Sequence, residues 1–264
     1  MFALRNLTGM AVLAALLPAL VWPQDADEFF RRGERFFDEH QLEAAIAAFQ
    51  RSVELRPAYA PAWKALGVVY ASRGEFERAE TPFRNACERQ PSLPDACLYY
   101  GRTLYLLNRF QPAIDVVGRT IQKERENGEA YRLLALSLEA LGQAAEAGDA
   151  FRQAVRLNRG AAPNEDPGID YAVFLFRQGR AEDAIDPLEG TLKRHPDAAR
   201  AHLELGCIQL ALDHLEEAAA HLERALALDP RSGRAHLLLG KVYLRQGKPQ
   251  AAEEHLRQGS LTVK

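Results

Sequence analysis

The chain has 264 residues, 47% hydrophobic and 26% charged, an ordinary soluble composition with room for one or two domains. A formal charge of −3 is too balanced to point to nucleic acid or an acidic membrane surface as partner. No glycine/serine-rich or proline-rich tract separates two globular blocks, and low-complexity segments are absent.

The first 24 residues differ from the rest. Arg5 is followed by an uninterrupted apolar run from Met10 to Trp22 that holds Pro18. A helix of that length cannot cross a hydrocarbon core of about 30 Å. The length and the leading positive charge predict a secretory signal over residues 1–24, with Ala19-Leu20-Val21 as a loose small-x-small cleavage site. Export to the periplasm or the medium follows; an uncleaved membrane anchor over 10–22 is the alternative.

Downstream, the stretch AWKALGVVY sets Trp63, Leu66, Gly67 and Tyr70 at i, i+3, i+4 and i+7, one face of a helix. Ser72-Arg73-Gly74 breaks it. A second helical face follows with Ala79, Phe83 and Ala86, and Pro91 ends it. The segment therefore reads as two helices folded back on each other, brought close at Gly67 and Ala79. Packed inside that hairpin, Trp63 is expected to cost about 3–5 kcal/mol when cut to alanine.

The same pattern returns along the chain. The Ala79 position recurs as Ala45, Ala113, Ala147, Ala184, Ala218 and Ala252, spaced by 34, 34, 34, 37, 34 and 34 residues. The Gly67 position recurs as Gly33, Gly101, Ala135, Ala172, Gly206 and Gly240, and the Phe83 position as Phe49, Val117, Phe151, Leu188, Leu222 and Leu256. The Trp63 position is less regular: Phe29, Cys97, Tyr131, Gly168, His202 and His236.

Trp63, Leu66, Gly67, Tyr70, Ala79, Phe83 and Pro91 make this chain resemble the tetratricopeptide repeat family, over essentially all of residues 26–264. The resemblance implies an all-α fold: a right-handed solenoid of seven tandem helix hairpins preceded by the signal or anchor segment. The repeats fall at about 26–59, 60–93, 94–127, 128–161, 165–198, 199–232 and 233–264. It also implies a concave groove lined by the first helix of each pair, used to hold a peptide segment or a partner helix.

The 37-residue step falls at 158–170, where Gly160, Pro163, Pro167 and Gly168 oppose a helix. It reads either as a longer loop or as a hinge dividing four repeats from three. Pro82 and Pro187 share one position in the second helices and predict local bending. Glu253 and Ser260 replace the apolar Ile46 and Val53 of the first repeat, which predicts that the last repeat caps itself.

Rotating about 100° from the core stripe of each first helix gives the groove lining. The candidate partner-binding residues are Lys64, Tyr99, Arg102, Tyr105, Arg132, Leu136 and Phe176. In the fifth and sixth repeats Ile169, Val173, Phe176, Leu203, Cys207 and Leu210 form an apolar stripe. That stripe either meets a partner or packs between successive first helices. Tyr105→Ala is expected to weaken binding at a stability cost under about 1 kcal/mol. No asparagine stands in the lining, which argues against the chaperone-tail clamp known in this family.

No phosphate-binding glycine loop or GxSxG nucleophile turn is present, and the repeats fill the chain from residue 26. Acidic residues are expected on solvated helix faces, and His202 and His236 as packed residues with one polar tip. No catalytic, cofactor-binding or metal site is therefore expected, and no cofactor, small-molecule substrate or nucleic acid. Contact with a membrane is expected only through an uncleaved N-terminal segment. Cys87 and Cys97 fall where two repeats meet, so they form either a disulfide or a pair of small buried thiols. The reading is a non-enzymatic protein–protein interaction scaffold, the alternative being a structural subunit of an envelope or secretion assembly that uses its convex face or ends.

Overall fold

The structure is a computed structural model that describes residues 25–93, 95–158 and 160–262. The apolar run at 10–22, and with it the signal or anchor, lies outside the described residues. Among the described residues there are fourteen α-helices and no strand. They are α1 (Ala26–Asp38), α2 (Leu42–Leu55), α3 (Ala60–Ser72), α4 (Phe76–Arg89), α5 (Ala96–Leu106), α6 (Phe110–Lys123) and α7 (Gly128–Ala140). Then come α8 (Ala144–Arg156), α9 (Pro167–Arg177), α10 (Ile185–Arg194), α11 (Ala199–Ala211), α12 (Leu215–Leu228), α13 (Gly233–Arg245) and α14 (Pro249–Thr262). Among the described residues no helix is long and apolar enough to cross a membrane. Each helix packs on its neighbour in the chain, which makes the stack a solenoid.

The period is visible in the backbone. His40, Gly74, Asn108, Gly142, Gly179, Asp213 and Gly247, one at each hairpin turn, all have a left-handed φ, between 57° and 76°. At each turn the following amide donates to the carbonyl five residues before it, at 2.8–3.0 Å, closing the first helix with the same two-residue signature. Glycine, asparagine and aspartate adopt this φ at low cost; His40 is the exception.

Packing repeats as well. The seven alanines at 45, 79, 113, 147, 184, 218 and 252 are all fully buried. At Gly67 a methyl group would lie 2.6 Å from the Phe83 ring, so glycine is what lets that ring sit over the first helix. Phe49, Phe83, Phe151, Leu188 and Leu222 are among the largest fully buried side chains. At the C-terminal end Glu253 and Ser260 are exposed while Ile46 and Val53 are buried, leaving a polar outer face.

Two expectations are corrected. Trp63 is half-buried on the flank of the core, and its indole Nε1 donates to the Pro57 carbonyl at 2.9 Å. Part of its ring already meets water, so the cost of Trp63→Ala falls to about 2–3 kcal/mol. Acidic residues are not confined to solvated faces: Asp166, Asp170 and Glu204 are buried. The prolines also part company. Pro82 lies inside an unbroken α4, whereas a 3-10 turn at Glu182–Ala184 precedes α10 and places Pro187 in that helix's first turn, where its missing N–H has no partner to lose.

The segment at 158–170 is pinned. Asp166 caps α9 by accepting from the Gly168 amide at 2.8 Å and also accepts from Thr191 Oγ1 at 3.0 Å. Its second oxygen takes Asn158 Nδ2 at 2.8 Å and Arg194 Nη2 at 2.9 Å. Phe151 of α8 then packs on Phe174 of α9, ring centroids 5.2 Å apart, inside one apolar cluster that continues into α11. The segment is thus anchored through Asn158 and through the buried residues 166–170, while Gly160, Ala162, Asn164 and Glu165 between them are exposed.

Candidate peptide-binding groove

Successive first helices touch each other at α1–α3, α5–α7, α7–α9, α9–α11 and α11–α13. Crowding of the odd helices puts them on the inner side of the stack, where the lining stripe was placed.

Much of that lining is engaged within the chain. Arg132 pairs with Asp170, Nε to Oδ2 2.6 Å, and with Glu129. Glu129 also holds Arg102, and Asp170 also holds Arg200 at 2.6 Å. Arg234 of α13 grips Glu204 of α11 through two bonds. These pairs tie α5, α7, α9, α11 and α13 edge to edge along the groove. Asp170–Arg200 and Glu204–Arg234 are the same contact one repeat apart, an acid followed 30 residues later by arginine. That spacing is legible in the sequence and is the signal that would have found them.

The predicted aromatic and apolar anchors also serve the stack. Tyr99 stacks on Phe83 at 5.3 Å and lies under the Lys64 ammonium at 5.9 Å. Tyr105 packs against Phe110 at 5.6 Å and joins two apolar clusters. Burial pushes the Tyr105 hydroxyl pKa up, with Glu139 and Asp170 adding to it. Tyr105→Ala is therefore expected to cost about 2–3 kcal/mol, read from a urea midpoint, which revises the sequence-based expectation. Leu136 and Phe176 are half-buried against the cluster around Phe151, and Ile169 is fully buried. The stripe of the fifth and sixth repeats is thus largely packed between helices, with Leu203 and Leu210 leaning on the α12–α13 cluster.

An open recess lies at the N-terminal end of the groove. Between α1 and α3 lies a recess of about 720 Å³. Phe37, Phe49, Ala65 and Val68 line it as an apolar floor, and Glu28, Arg31, Glu34, Arg35 and Asp38 surround it. Glu34, Phe37 and Val68 belong to the lining stripe, but the arginines of α5 and α7 drew the sequence-based site further along.

Cys87 of α4 and Cys97 of α5 are joined by a disulfide across the second and third hairpins, with Cα atoms 4.6 Å apart. Cys207 is free. Under oxidising conditions Cys87→Ser is expected to cost about 2–3 kcal/mol, by freeing the unfolded chain, and to have no effect once the wild type is reduced. Among the described residues no group of three or more potential metal ligands comes together.

Comparison with known proteins fits this architecture. The sequence model described as tetratricopeptide repeat matches residues 30–94, 99–164, 173–212 and 203–259. Human IFIT1 homolog B is 28% identical over 153 residues, 54% of this chain and 31% of that protein. Bovine BBSome complex member BBS4 is 28% identical over 126 residues, 47% of this chain and 24% of its own length. The chain thus matches less than a third of either relative. Among solved structures, a tetratricopeptide repeat protein from Parabacteroides merdae aligns over 91% of this chain and 94% of its own, with a TM-score of 0.71 at 14% identity. Pseudomonas aeruginosa pilF aligns over 83% of this chain and 97% of its own, with a TM-score of 0.64 at 21% identity. Identities this low carry the fold alone. With the matched segments spread over most of its length, the chain belongs to the tetratricopeptide repeat family.

Proposed function

We propose that this protein is a non-enzymatic interaction scaffold that holds a peptide segment or partner helix on its concave face, seating an apolar side chain of the partner in the recess between α1 and α3. The observation that supports this is the contrast along the groove. From α5 to α11 the lining side chains are occupied by ion pairs and packing, whereas Phe37 and Val68 line an open recess. An apolar floor inside a charged rim suits an amphipathic peptide, with the rim fixing orientation and the floor supplying affinity. A protein partner rather than nucleic acid agrees with the formal charge of −3 and with the arginines already paired to carboxylates. The proposal includes seven repeat units acting together and export by way of residues 1–24.

The test is affinity capture with residues 25–264, comparing wild type with Val68→Arg and Leu244→Arg. Val68→Arg should reduce the retained partner about tenfold or more while the melting curve holds, since the guanidinium can leave through the open mouth. Leu244→Arg, at the far end of the groove, should retain it. The reverse pattern would move the site to the C-terminal repeats and overturn the recess as the anchor.

A further inference from the structure

In the two hairpins before the C-terminus, histidine replaces the aromatic of the Trp63 position, and each of these histidines meets a second one on the next helix. His202 Nδ1 of α11 lies 2.9 Å from His221 Nδ1 of α12, and His202 Nε2 lies 3.2 Å from the Pro196 carbonyl. One repeat on, His236 Nδ1 lies 2.9 Å from His255 Nδ1 of α14, and His236 Nε2 lies 3.3 Å from the Pro230 carbonyl. His202 and His236 are 9% and 7% exposed.

The chemistry of these contacts fixes the protons. A carbonyl only accepts, so His202 Nε2 and His236 Nε2 carry the hydrogen. Their Nδ1 atoms are then bare in the neutral ring and accept from the Nδ1–H of His221 and His255. In the second hairpin Trp63 Nε1 makes the same bond to Pro57, with no group that titrates near neutral pH. The histidines thus keep the structural hydrogen bond of that position and add an acid–base function to it.

We propose that the two histidine pairs form an acid-sensitive latch that holds α11–α14 closed at neutral pH and loosens them in mild acid, while the α3–α4 hairpin stays closed. The first proton taken up by a pair goes to the Nε2 of His221 or His255, which keeps the Nδ1–Nδ1 bond but places a cation inside the interface. The second has only the Nδ1 of His202 or His236 to bind. Two N–H groups then face each other and the bond is lost.

The surroundings oppose the charge incompletely. Arg224 of α12 faces the first pair, with Glu189 of α10 near His221. The second pair has Glu254 of α14 and Glu223 of α12, and Glu223 accepts from the Tyr243 hydroxyl of α13 at 2.6 Å. Gln209 of α11, in the position that Tyr243 fills one repeat later, is neutral. Burial comes first among the causes that lower His202, His221 and His255 below the ordinary imidazole value; His202 acts further on His221, and His236 on His255. A lowered value means that the native state binds fewer protons than the unfolded one. The stabilisation is therefore complete above about pH 6.5 and is lost as pH falls through the folded-state values.

Hydrogen exchange on the intact chain at pH 7.5 and 5.5, corrected for intrinsic rates, reads the latch directly. Opening of α11–α14 should rise about tenfold or more on acidification, with α3–α6 unchanged. A combined His202→Tyr, His221→Ala, His236→Tyr, His255→Ala variant copies the Tyr131 and Ala150 pair of the fourth hairpin and should abolish the difference. Nitrogen NMR of the wild-type histidines at pH 7.5 serves if that variant fails to fold. It should find the hydrogen on Nε2 of His202 and His236 and on Nδ1 of His221 and His255. Equal acid response at both ends, an acid response surviving in the folded variant, or the opposite tautomers would overturn the proposal.

Discussion

Asp166→Ala is expected to destabilise the protein by about 2–3 kcal/mol, measured as a fall in the urea midpoint at unchanged slope. The carboxylate is fully buried, and its removal leaves the Gly168 amide without its acceptor, while the Thr191 hydroxyl keeps the Pro187 carbonyl at 3.0 Å. A buried amide so stranded costs about 1–3 kcal/mol. Arg194 adds less, because its side chain is 42% exposed and can turn to water. Asp166→Asn should cost about half as much, since an amide oxygen still caps α9 while the charged bond to Arg194 is weakened. A loss within about 0.5 kcal/mol for the alanine variant would mean that 158–170 is a loose connection.

The second large effect is expected at Phe151. Its ring is fully buried, packed on Phe174 at 5.2 Å and Tyr171 at 5.9 Å. Phe151→Ala should cost about 3–5 kcal/mol through the cavity it leaves. Both of its aromatic neighbours lie on α9, past the insertion, so the cavity opens at the joint between the fourth and fifth hairpins. Circular dichroism with urea gives the magnitude, and Phe151→Leu should recover most of it because little volume is lost.

The fold was readable where identity is forced by close packing. An alanine that must lie under a neighbouring helix has no substitute, and all seven are fully buried. The hairpin turns were only half readable. Gly74 announces a left-handed residue, but His40, Asn108 and Asp213 adopt the same φ without glycine. The groove was least readable, because a stripe gives direction without giving partners. Arg102 and Arg132 read as open cations, yet their carboxylates come from α7 and α9, 27 and 38 residues away. Tyr105 looked like a surface anchor because its position relative to Phe110 depends on how the hairpin closes. His255 carries no signal in the sequence, because its meaning comes only from His236 across a helix interface.

The most direct test of a single continuous stack uses one reporter on each side of the insertion. In residues 25–264 Trp63 is the only tryptophan and reports on α3, and Cys207 is the free thiol of α11. Urea unfolding at pH 7.5, followed by Trp63 fluorescence and by labelling of Cys207, should give coincident midpoints. Two separated transitions, one for each side, would contradict a stack that runs unbroken through Asp166.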